Sequence, residues 1–226
     1  MNKYGDLLNK ADFFLKLAIA RNKVKIELES SFSVEKLKDI CRNHYAYGIK
    51  YLITDLINYA DQSLKEPIGR GSSRIVYRVN AKKVLKIAKN NLGLLQNQME
   101  LDVFTNPEAA PMVTKIYDYD ANNSWIISEF VIEIKSHEEF EKLTGMAFID
   151  FYDALRFGLG VYDSYYRGPY IESNIDNNEL VLNTIKTIKA TGLMLDELYY
   201  IGHWGKTADN RVVVLDYGYS EDTSIV

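Results

Sequence analysis

The hydrophobic positions in the first part of the chain follow a helical period. Apolar residues recur at three- and four-residue intervals over residues 6–20, and again along one stripe from Val34 to Tyr59 that Gly48 interrupts. This spacing marks one face of an α-helix, and a glycine inside a helix costs about 1 kcal/mol relative to alanine. Residues 1–63 are therefore predicted to form a helical extension, whose second and longer helix begins after Ser33.

From Leu64 onward the pattern changes to short runs rich in β-branched residues, which are typical of strands. The predicted strands cover residues 75–79, 84–87, 115–119 and 125–131. A single helix is predicted among them, from Leu94 to Phe104. Residues 64–134 are therefore expected to form a sheet that carries one helix.

Beyond Lys135 the chain is predicted to be helical again. The expected helices cover residues 138–143, 148–157 and 179–191, and two final strands are expected around residues 211–215. The tyrosine-rich segment 162–170 is predicted to be a loop. The fold class expected for the whole chain is α+β, with a largely helical segment over residues 135–226.

The composition limits the classes of function. The chain has 226 residues, a formal charge of −4 and one cysteine, Cys41. A net negative charge makes general binding to nucleic acids or anionic membranes a poor expectation, and a lone cysteine, which allows no internal disulfide, fits a reducing compartment. The sequence has no apolar run of about 18 residues and no secretory signal pattern at its start. We therefore expect an intracellular protein without a membrane span.

The first segment that indicates chemistry runs from Gly69 to Val76 and reads Gly-Arg-Gly-Ser-Ser-Arg-Ile-Val. Because glycine lacks a β-carbon, its backbone N–H groups can approach phosphate oxygens closely. The alternative interpretation is an ordinary hairpin turn, since two glycines at this spacing occur in many proteins. The turn alone leaves both interpretations open.

Lys86 has apolar neighbours on both sides, which breaks the usual alternation of a half-buried strand. Burying an unpaired ammonium group costs several kcal/mol, so this side chain needs a charge partner or solvent. Glu100, fourteen residues later on the predicted helix, can hold Lys86 in position while the lysine binds the α- and β-phosphates of a nucleotide. The plainer alternatives are a lysine that extends into solvent and an exposed helix glutamate.

A hydrophobic strand over residues 212–215 leads to Asp216, followed by Tyr217 and Gly218. Magnesium prefers carboxylate oxygens that it shares with nucleotide phosphates, so an aspartate is a suitable ligand here. A simple turn at the end of a strand is the alternative.

Taken in this order, the motifs resemble those of the protein-kinase superfamily, and most closely those of small kinase-like proteins of bacteriophages and bacteria. The resemblance implies a two-lobed fold, in which a small antiparallel N-lobe sheet with one helix covers residues 64–134. A reduced helical C-lobe would cover residues 135–226, and residues 1–63 would be an N-terminal extension. The implied cofactors are ATP and Mg²⁺, with Asp216 as the metal ligand.

The resemblance also implies which residues contact the nucleotide. The phosphates would be bound by Lys86 and by residues of the glycine turn, namely Gly69, Gly71, Ser72 and Ser73. Val76 would lie over the adenine, and Glu129 would belong to a hinge over residues 128–131 whose backbone reads the edge of the base. Arg74 stands where the family has its third glycine, which is a departure from the pattern.

The catalytic loop matches the family least well. Family members have an asparagine thirteen residues before the metal-binding aspartate, and the catalytic aspartate five residues before that asparagine; these positions hold His203 and Leu198 here. Asp196 can act as the base only if the loop is two residues longer. A second register uses Asn210 and places Gly205 where the aspartate belongs.

Four roles are open for His203. It could replace the second metal ligand, although imidazole suits magnesium poorly. It could bind Asp216 or a phosphate through a hydrogen bond, or, when protonated, stabilise the charge that is transferred. It could also be a structural histidine beside Trp204.

Two functions follow from these features. The first is an atypical kinase that transfers the γ-phosphoryl group of ATP to a protein or small-molecule hydroxyl, with Asp196, Lys86, Glu100 and His203 at the catalytic centre. The second is a pseudokinase that acts as a scaffold or virion-associated interaction protein. The altered loop favours the second, as do the eight residues after Gly218, which leave no peptide-binding platform. Expected partners are a nucleotide and a protein bound by the N-terminal helices, in the host cytoplasm or a virion.

Overall fold

The computed structural model describes residues 32–44, 48–161, 177–215 and 217. The predicted helix over residues 6–20, the predicted loop over residues 162–170 and Asp216 lie outside these ranges. The described part of the chain has an α+β fold with six α-helices and two antiparallel sheets. No helix in it is both long enough and apolar enough to cross a lipid bilayer.

Two helices come first in the described chain, α1 (Val34–His44) and α2 (Ile49–Ser63). Gly48 immediately before α2 has a φ of 95°, a backbone conformation that residues with a side chain rarely adopt. A continuous helix cannot pass through that conformation. The prediction of one long helix that Gly48 merely interrupts is therefore wrong.

The larger sheet contains five strands. They are β1 (Gly69–Arg70), β2 (Arg74–Arg78), β3 (Lys83–Ala88), β4 (Ile116–Tyr119) and β5 (Trp125–Glu129). Their order is β1-β2-β3-β5-β4, and every neighbouring pair is antiparallel. The four predicted strands are confirmed to within one or two residues at each end. The last of them stops at Glu129 instead of residue 131, because the chain then pairs with the other sheet.

Helix α3 (Asn91–Thr105) follows β3 and packs against the larger sheet. It begins earlier than the predicted Leu94, because the Asn90 side chain accepts a hydrogen bond from the Gly93 N–H and caps the first turn. Three polar residues of α3, Gln96, Asn97 and Glu100, are buried. Buried residues of these types need hydrogen-bond partners, and α3 finds them on the sheet.

Helices α1 and α2 cover one face of the larger sheet. The shared hydrophobic cluster includes Leu37, Cys41, Leu52, Leu56, Ile75, Tyr77, Leu85, Ile87, Trp125 and Ile127. Residues alternate between the two faces of a strand, so Val76 and Lys86 point to the opposite face, where α3 lies. Helices α1 and α2 thus share a core with the sheet, which leaves the face with Lys86 available for a site.

The second part of the fold combines a small sheet with helices. Its strands are β6 (Ile132–Glu133), β7 (Trp204–Lys206) and β8 (Val212–Val214), and its helices are α4 (His137–Thr144), α5 (Phe148–Gly158) and α6 (Glu179–Thr191). The three predicted helices are confirmed, and α6 has the predicted bounds. Two strands were expected around residues 211–215. Strand β8 lies there, whereas its partner β7 lies at residues 204–206. The core of this part contains an aromatic group, in which Phe140 and Phe151 pack on Trp204.

Candidate functional site

A cleft of about 340 Å³ lies where the two sheets meet. The residues around it include Gly69, Val76, Val84, Lys86, Phe130 and Leu215. They come from the first three strands of the larger sheet, from the connection between β5 and β6, and from the residue after β8. Mostly apolar walls with a few charged groups are the usual composition of a small-molecule site.

Lys86 and Glu100 form an ion pair on the wall of this cleft. The ammonium nitrogen of Lys86 lies 2.8 Å from Oε1 and 2.6 Å from Oε2 of Glu100. The Glu100 side chain is fully buried, and 13% of the Lys86 side chain is exposed. The contact between these two residues that the sequence suggested is therefore present, with the lysine supplied by β3 and the carboxylate by the middle of α3.

Arg74 binds the same carboxylate. Its Nη1 donates a short hydrogen bond to Glu100 Oε1 and lies 3.5 Å from Oδ1 of Asn97. Burial alone would raise the pKa of Glu100, but the positive charges of Lys86 and Arg74 hold that pKa below its ordinary value of 4.5. Glu100 is thus a buried carboxylate that bridges two cations.

Sequence reasoning missed this role of Arg74, although a signal existed. Arg74 is two residues before Val76 on the same strand, so both point to the cleft face. A cation at that position, in place of the family's third glycine, is therefore directed toward the residue that pairs with Lys86.

The turn between β1 and β2 is attached to the beginning of α3. The Gly71 N–H donates to the Arg74 carbonyl oxygen at 2.9 Å and closes the turn. The Ser73 hydroxyl donates to Oε1 of Gln96 at 2.5 Å, and the Asn90 side chain donates to the Ser72 carbonyl oxygen at 3.2 Å. The hydroxyl of Ser73, which the resemblance assigned to phosphate binding, is thus bonded to α3.

Packing within the protein does not require glycine at positions 69 and 71. A β-carbon on Gly69 would lie 3.8 Å from the Val76 side chain, and one on Gly71 would lie 3.6 Å from the Arg74 carbonyl oxygen. Both are ordinary van der Waals distances, and neither glycine has a positive φ. A methyl group at either position would therefore fit against the protein without overlap.

A further part of the cleft wall is the chain from Glu129 to Val131. The Glu129 carboxylate accepts a hydrogen bond from Nη2 of Arg211 at 2.7 Å. The backbone N–H of Glu129 donates to the Lys115 carbonyl oxygen at 2.8 Å. The ion pair between Glu129 and Arg211 joins the wall of the cleft to the β7–β8 hairpin. The sequence did not predict this contact, because Arg211 lies far along the chain from Glu129.

The residues predicted for the catalytic loop lie on short 3₁₀ turns, at Leu195–Tyr199 and Ile201–His203. Asp196 is exposed, and its carboxylate accepts a hydrogen bond of 3.4 Å from the Tyr152 hydroxyl. Leu198, which occupies the position of the catalytic aspartate in the first register, is fully buried. Asp196 and His203 are not among the described residues that line the cleft.

The imidazole of His203 is bound locally. Its Nδ1 lies 2.8 Å from the carbonyl oxygen of Glu197 and 3.4 Å from the carboxylate of the same residue. Asn210, the key residue of the second register, has a φ of 63° and donates its N–H to the Thr207 carbonyl oxygen at 3.1 Å. Asparagine tolerates this left-handed conformation well, so the hairpin turn explains its presence.

Asp216 lies outside the described residues, and its neighbours adjoin the cleft. Leu215 lines the cleft, and the Tyr217 hydroxyl lies 3.0 Å from Oγ1 of Thr114, another lining residue. Burial raises the pKa of Tyr217 well above its ordinary value. Within the described ranges, no group of three or more His, Cys, Asp or Glu side chains is arranged to hold a metal ion.

A second hollow, of about 610 Å³, lies between the first residues of α2 and those of α3. Its charged side chains, Lys50 and Lys89, are exposed, and it contains no buried ion pair. The smaller cleft, with its Lys86–Glu100 pair, is therefore the stronger candidate site.

Comparisons of the chain with protein-family models, curated proteins and solved structures found no match.

Proposed function

We propose that this chain binds ATP in the cleft, in a two-lobed arrangement like that of protein kinases. The larger sheet with α3 would be the N-lobe, and the smaller sheet with α4 to α6 would be a reduced C-lobe. The observation that carries the proposal is the ion pair of 2.6 Å between Lys86 and the buried Glu100. A lysine fixed in this way presents a positive charge to the α- and β-phosphates of a nucleotide.

The rest of the cleft supports the same ligand. Val76 and Val84 on one side and Leu215 on the other supply apolar surfaces between which a flat base can lie. The Val131 N–H and the backbone carbonyl groups of this wall would read the edge of that base, because the N–H groups of Glu129 and Phe130 donate to carbonyl oxygens of the protein. The phosphates would extend past Lys86 toward the glycine turn.

Magnesium would be held by Asp216 together with phosphate oxygens. The donor set fits to this extent: a carboxylate is the ligand type that magnesium prefers, and both sequence neighbours of Asp216 adjoin the cleft. When bound, the ion would neutralise part of the phosphate charge. The contribution of the chain itself is to fix the phosphates through Lys86 and to exclude water from the base.

Two outcomes of nucleotide binding are distinguished. In an atypical kinase, Asp196 would accept the proton of an acceptor hydroxyl while the γ-phosphoryl group moves to it. In a pseudokinase, the nucleotide would only stabilise a scaffold that binds a protein partner, for which the outer face of α1 and α2 is the proposed surface. The buried Leu198 and the locally bound His203 favour the pseudokinase.

The proposal is tested with the purified chain and four variants: Lys86→Ala, Asp216→Ala, Asp196→Asn and Lys82→Ala. Lys82 is an exposed lysine beside the same strand, so Lys82→Ala is the matched control. We expect ATP with Mg²⁺ to raise the melting temperature of the wild type and of Lys82→Ala, and not that of Lys86→Ala. The absence of any shift with ATP, ADP or AMP in the wild type would contradict the proposal.

The two outcomes are separated with ATP labelled on its γ-phosphate. Transfer of label or release of phosphate that Lys86→Ala and Asp216→Ala both abolish supports the kinase. If Asp196→Asn also abolishes transfer while ATP still shifts its melting temperature, Asp196 is the base. A thermal shift without turnover supports the pseudokinase.

A further inference from the structure

We propose that Lys89 and Asn90 are positioning residues that hold the glycine turn in one conformation before any phosphate binds to it. This inference rests on the proposed function, which assigns the phosphates to that turn. The two residues form the connection between β3 and α3, so they would act through the turn and not by touching the ligand.

Three successive carbonyl oxygens of the turn accept hydrogen bonds from this short connection. The Gly71 oxygen accepts from the ammonium group of Lys89 at 2.7 Å. The Ser72 oxygen accepts from Nδ2 of Asn90 at 3.2 Å, and the Ser73 oxygen accepts from the backbone N–H of Lys89 at 2.7 Å. Two consecutive residues thus bind every carbonyl oxygen from residue 71 to residue 73.

The pairing of the strands explains why the connection reaches the turn. Arg74 pairs with Ala88 at the end of the β2–β3 ladder, so the residue before Arg74 and the residue after Ala88 lie opposite each other. Asn90 is also fixed from its other side, because its Oδ1 accepts from the Gly93 N–H at 3.1 Å and caps α3. An amide that accepts through its oxygen in the cap has its nitrogen left as the donor to the turn.

The direction of these carbonyl groups decides whether the turn can accept a phosphate. Carbonyl and phosphate oxygens carry charge of the same sign and repel each other, whereas backbone N–H groups attract phosphate. The C=O and the N–H of a trans peptide point in opposite directions, so the N–H groups of Ser72 and Ser73 point away from Lys89 and Asn90. A turn that is already ordered also loses less conformational freedom when the ligand arrives.

The experiment measures dissociation constants of ATP with Mg²⁺ and of adenosine by calorimetry, for the wild type, Lys89→Met, Lys89→Arg, Asn90→Ser and Lys50→Met. Methionine has no donor for the Gly71 oxygen, and serine keeps an oxygen for the helix cap but has no amide donor. Lys50 is the matched control for charge, because it is an exposed lysine that lines the same hollow as Lys89.

We expect Lys89→Met and Asn90→Ser each to weaken ATP binding about fivefold, because the ligand must then order the turn, and to leave adenosine binding unchanged. Lys89→Arg keeps a donor for the turn and should bind ATP like the wild type. Lys50→Met should also bind ATP like the wild type.

A second measurement follows the turn without ligand. The Gly71 N–H donates to the Arg74 carbonyl oxygen at 2.9 Å. Hydrogen exchange of this N–H should be faster in Lys89→Met and Asn90→Ser than in the wild type and Lys50→Met, because the turn opens more often. Equal melting temperatures of these proteins would show that the change is confined to the turn.

The outcomes separate this inference from the proposed function. If the wild type binds ATP and neither Lys89→Met nor Asn90→Ser weakens it, the inference is wrong while the proposed function stands. The same holds if these variants weaken ATP and adenosine equally, or if Lys50→Met weakens ATP as much as Lys89→Met does. Equal exchange of the Gly71 N–H in all variants would contradict the inference whether or not a nucleotide binds. If the wild type binds neither compound, the proposed function is wrong and the inference falls with it.

Discussion

A β-carbon on Gly93 would lie 2.2 Å from the carbonyl oxygen of Ser73. That oxygen belongs to the backbone of the glycine turn and accepts the Lys89 N–H at 2.7 Å, so it cannot move aside without breaking the turn. The first turn of α3 and the glycine turn are therefore in direct backbone contact, and only glycine at position 93 permits this distance.

Gly93→Ala is expected to destabilise the protein by about 1–3 kcal/mol through this overlap, although alanine is favoured over glycine in a helix by about 1 kcal/mol. Urea denaturation at pH 7 measures the free energy of unfolding. Leu95→Ala, at a position of α3 that is 44% exposed, is the control and should have a smaller effect. Equal or greater stability of Gly93→Ala would show that the turn can move away from α3.

Gly71→Ala should separate stability from binding. Its β-carbon would meet the Arg74 carbonyl oxygen at an ordinary 3.6 Å, so we expect the free energy of unfolding to change by less than about 0.5 kcal/mol. A methyl group beside the turn should nevertheless obstruct phosphate oxygens and weaken ATP binding about tenfold or more. Calorimetry with ATP and with adenosine measures this, and unchanged ATP affinity would contradict phosphate contact at the turn.

Glu100→Gln is expected to destabilise the protein by about 3–5 kcal/mol at pH 7, because Lys86 and Arg74 lose the charge that they share.

Wild-type stability should also depend on pH. The pKa of Glu100 is below its ordinary value of 4.5 in the folded state, so its contribution is complete above about pH 4.5 and is lost as the pH falls through the folded-state pKa.

Urea denaturation between pH 3 and pH 7 measures this dependence. The difference in unfolding free energy between the wild type and Glu100→Gln should shrink below about pH 4.5. Glu108→Gln, at an exposed position after α3, should show a small difference at every pH. A wild-type advantage over Glu100→Gln that stays constant down to pH 3 would mean that folding does not lower the pKa of Glu100.

The rate at which the Cys41 thiol is labelled reports on how tightly α1 packs against the larger sheet. Its side chain is 3% exposed, and the Trp125 indole donates to its sulfur at 3.3 Å. Burial raises the pKa of the thiol above its ordinary value of 9.0, and the thiolate is the reactive form. We expect a disulfide reagent at pH 8 to label the folded protein about a hundredfold more slowly than the protein in denaturant. Rapid labelling of folded protein would show that α1 detaches easily from the sheet.

The sequence predicted most of the elements because local patterns determine them. The bounds of α6 follow from a clear helical period that ends before Gly192, whose φ is 67°. Lys86 could be singled out because it lies in an apolar strand, and Glu100 because it is an acid on the adjacent helix. The sequence did not predict that the helix ends before Gly48, because the apolar stripe continues on both sides of this residue. The positive φ of Gly48 becomes visible only in the folded chain.

Features that depend on distant parts of the chain could not be predicted. Residues Ile132 and Glu133 are exposed and have no strand pattern of their own, and they form β6 only because Lys206 and Gly205 pair with them. The contact between Glu129 and Arg211 likewise requires the smaller sheet to be in place. Counting residues gave Leu198 at the position of the base and left Asp196 as a nearby acid, and the structure directs the Asp196 carboxylate to Tyr152.

Helix α3 connects two parts of the candidate site, the glycine turn and the Lys86–Glu100 pair. Near its first turn it is bonded to the glycine turn through Gln96 and Ser73, and one helical turn later it carries Glu100. A shift of the turn by an arriving ligand would be transmitted along the helix to that carboxylate and from there to Lys86. The position of the turn and the orientation of the lysine thus both depend on one helix, so a displacement of either is expected to affect the other.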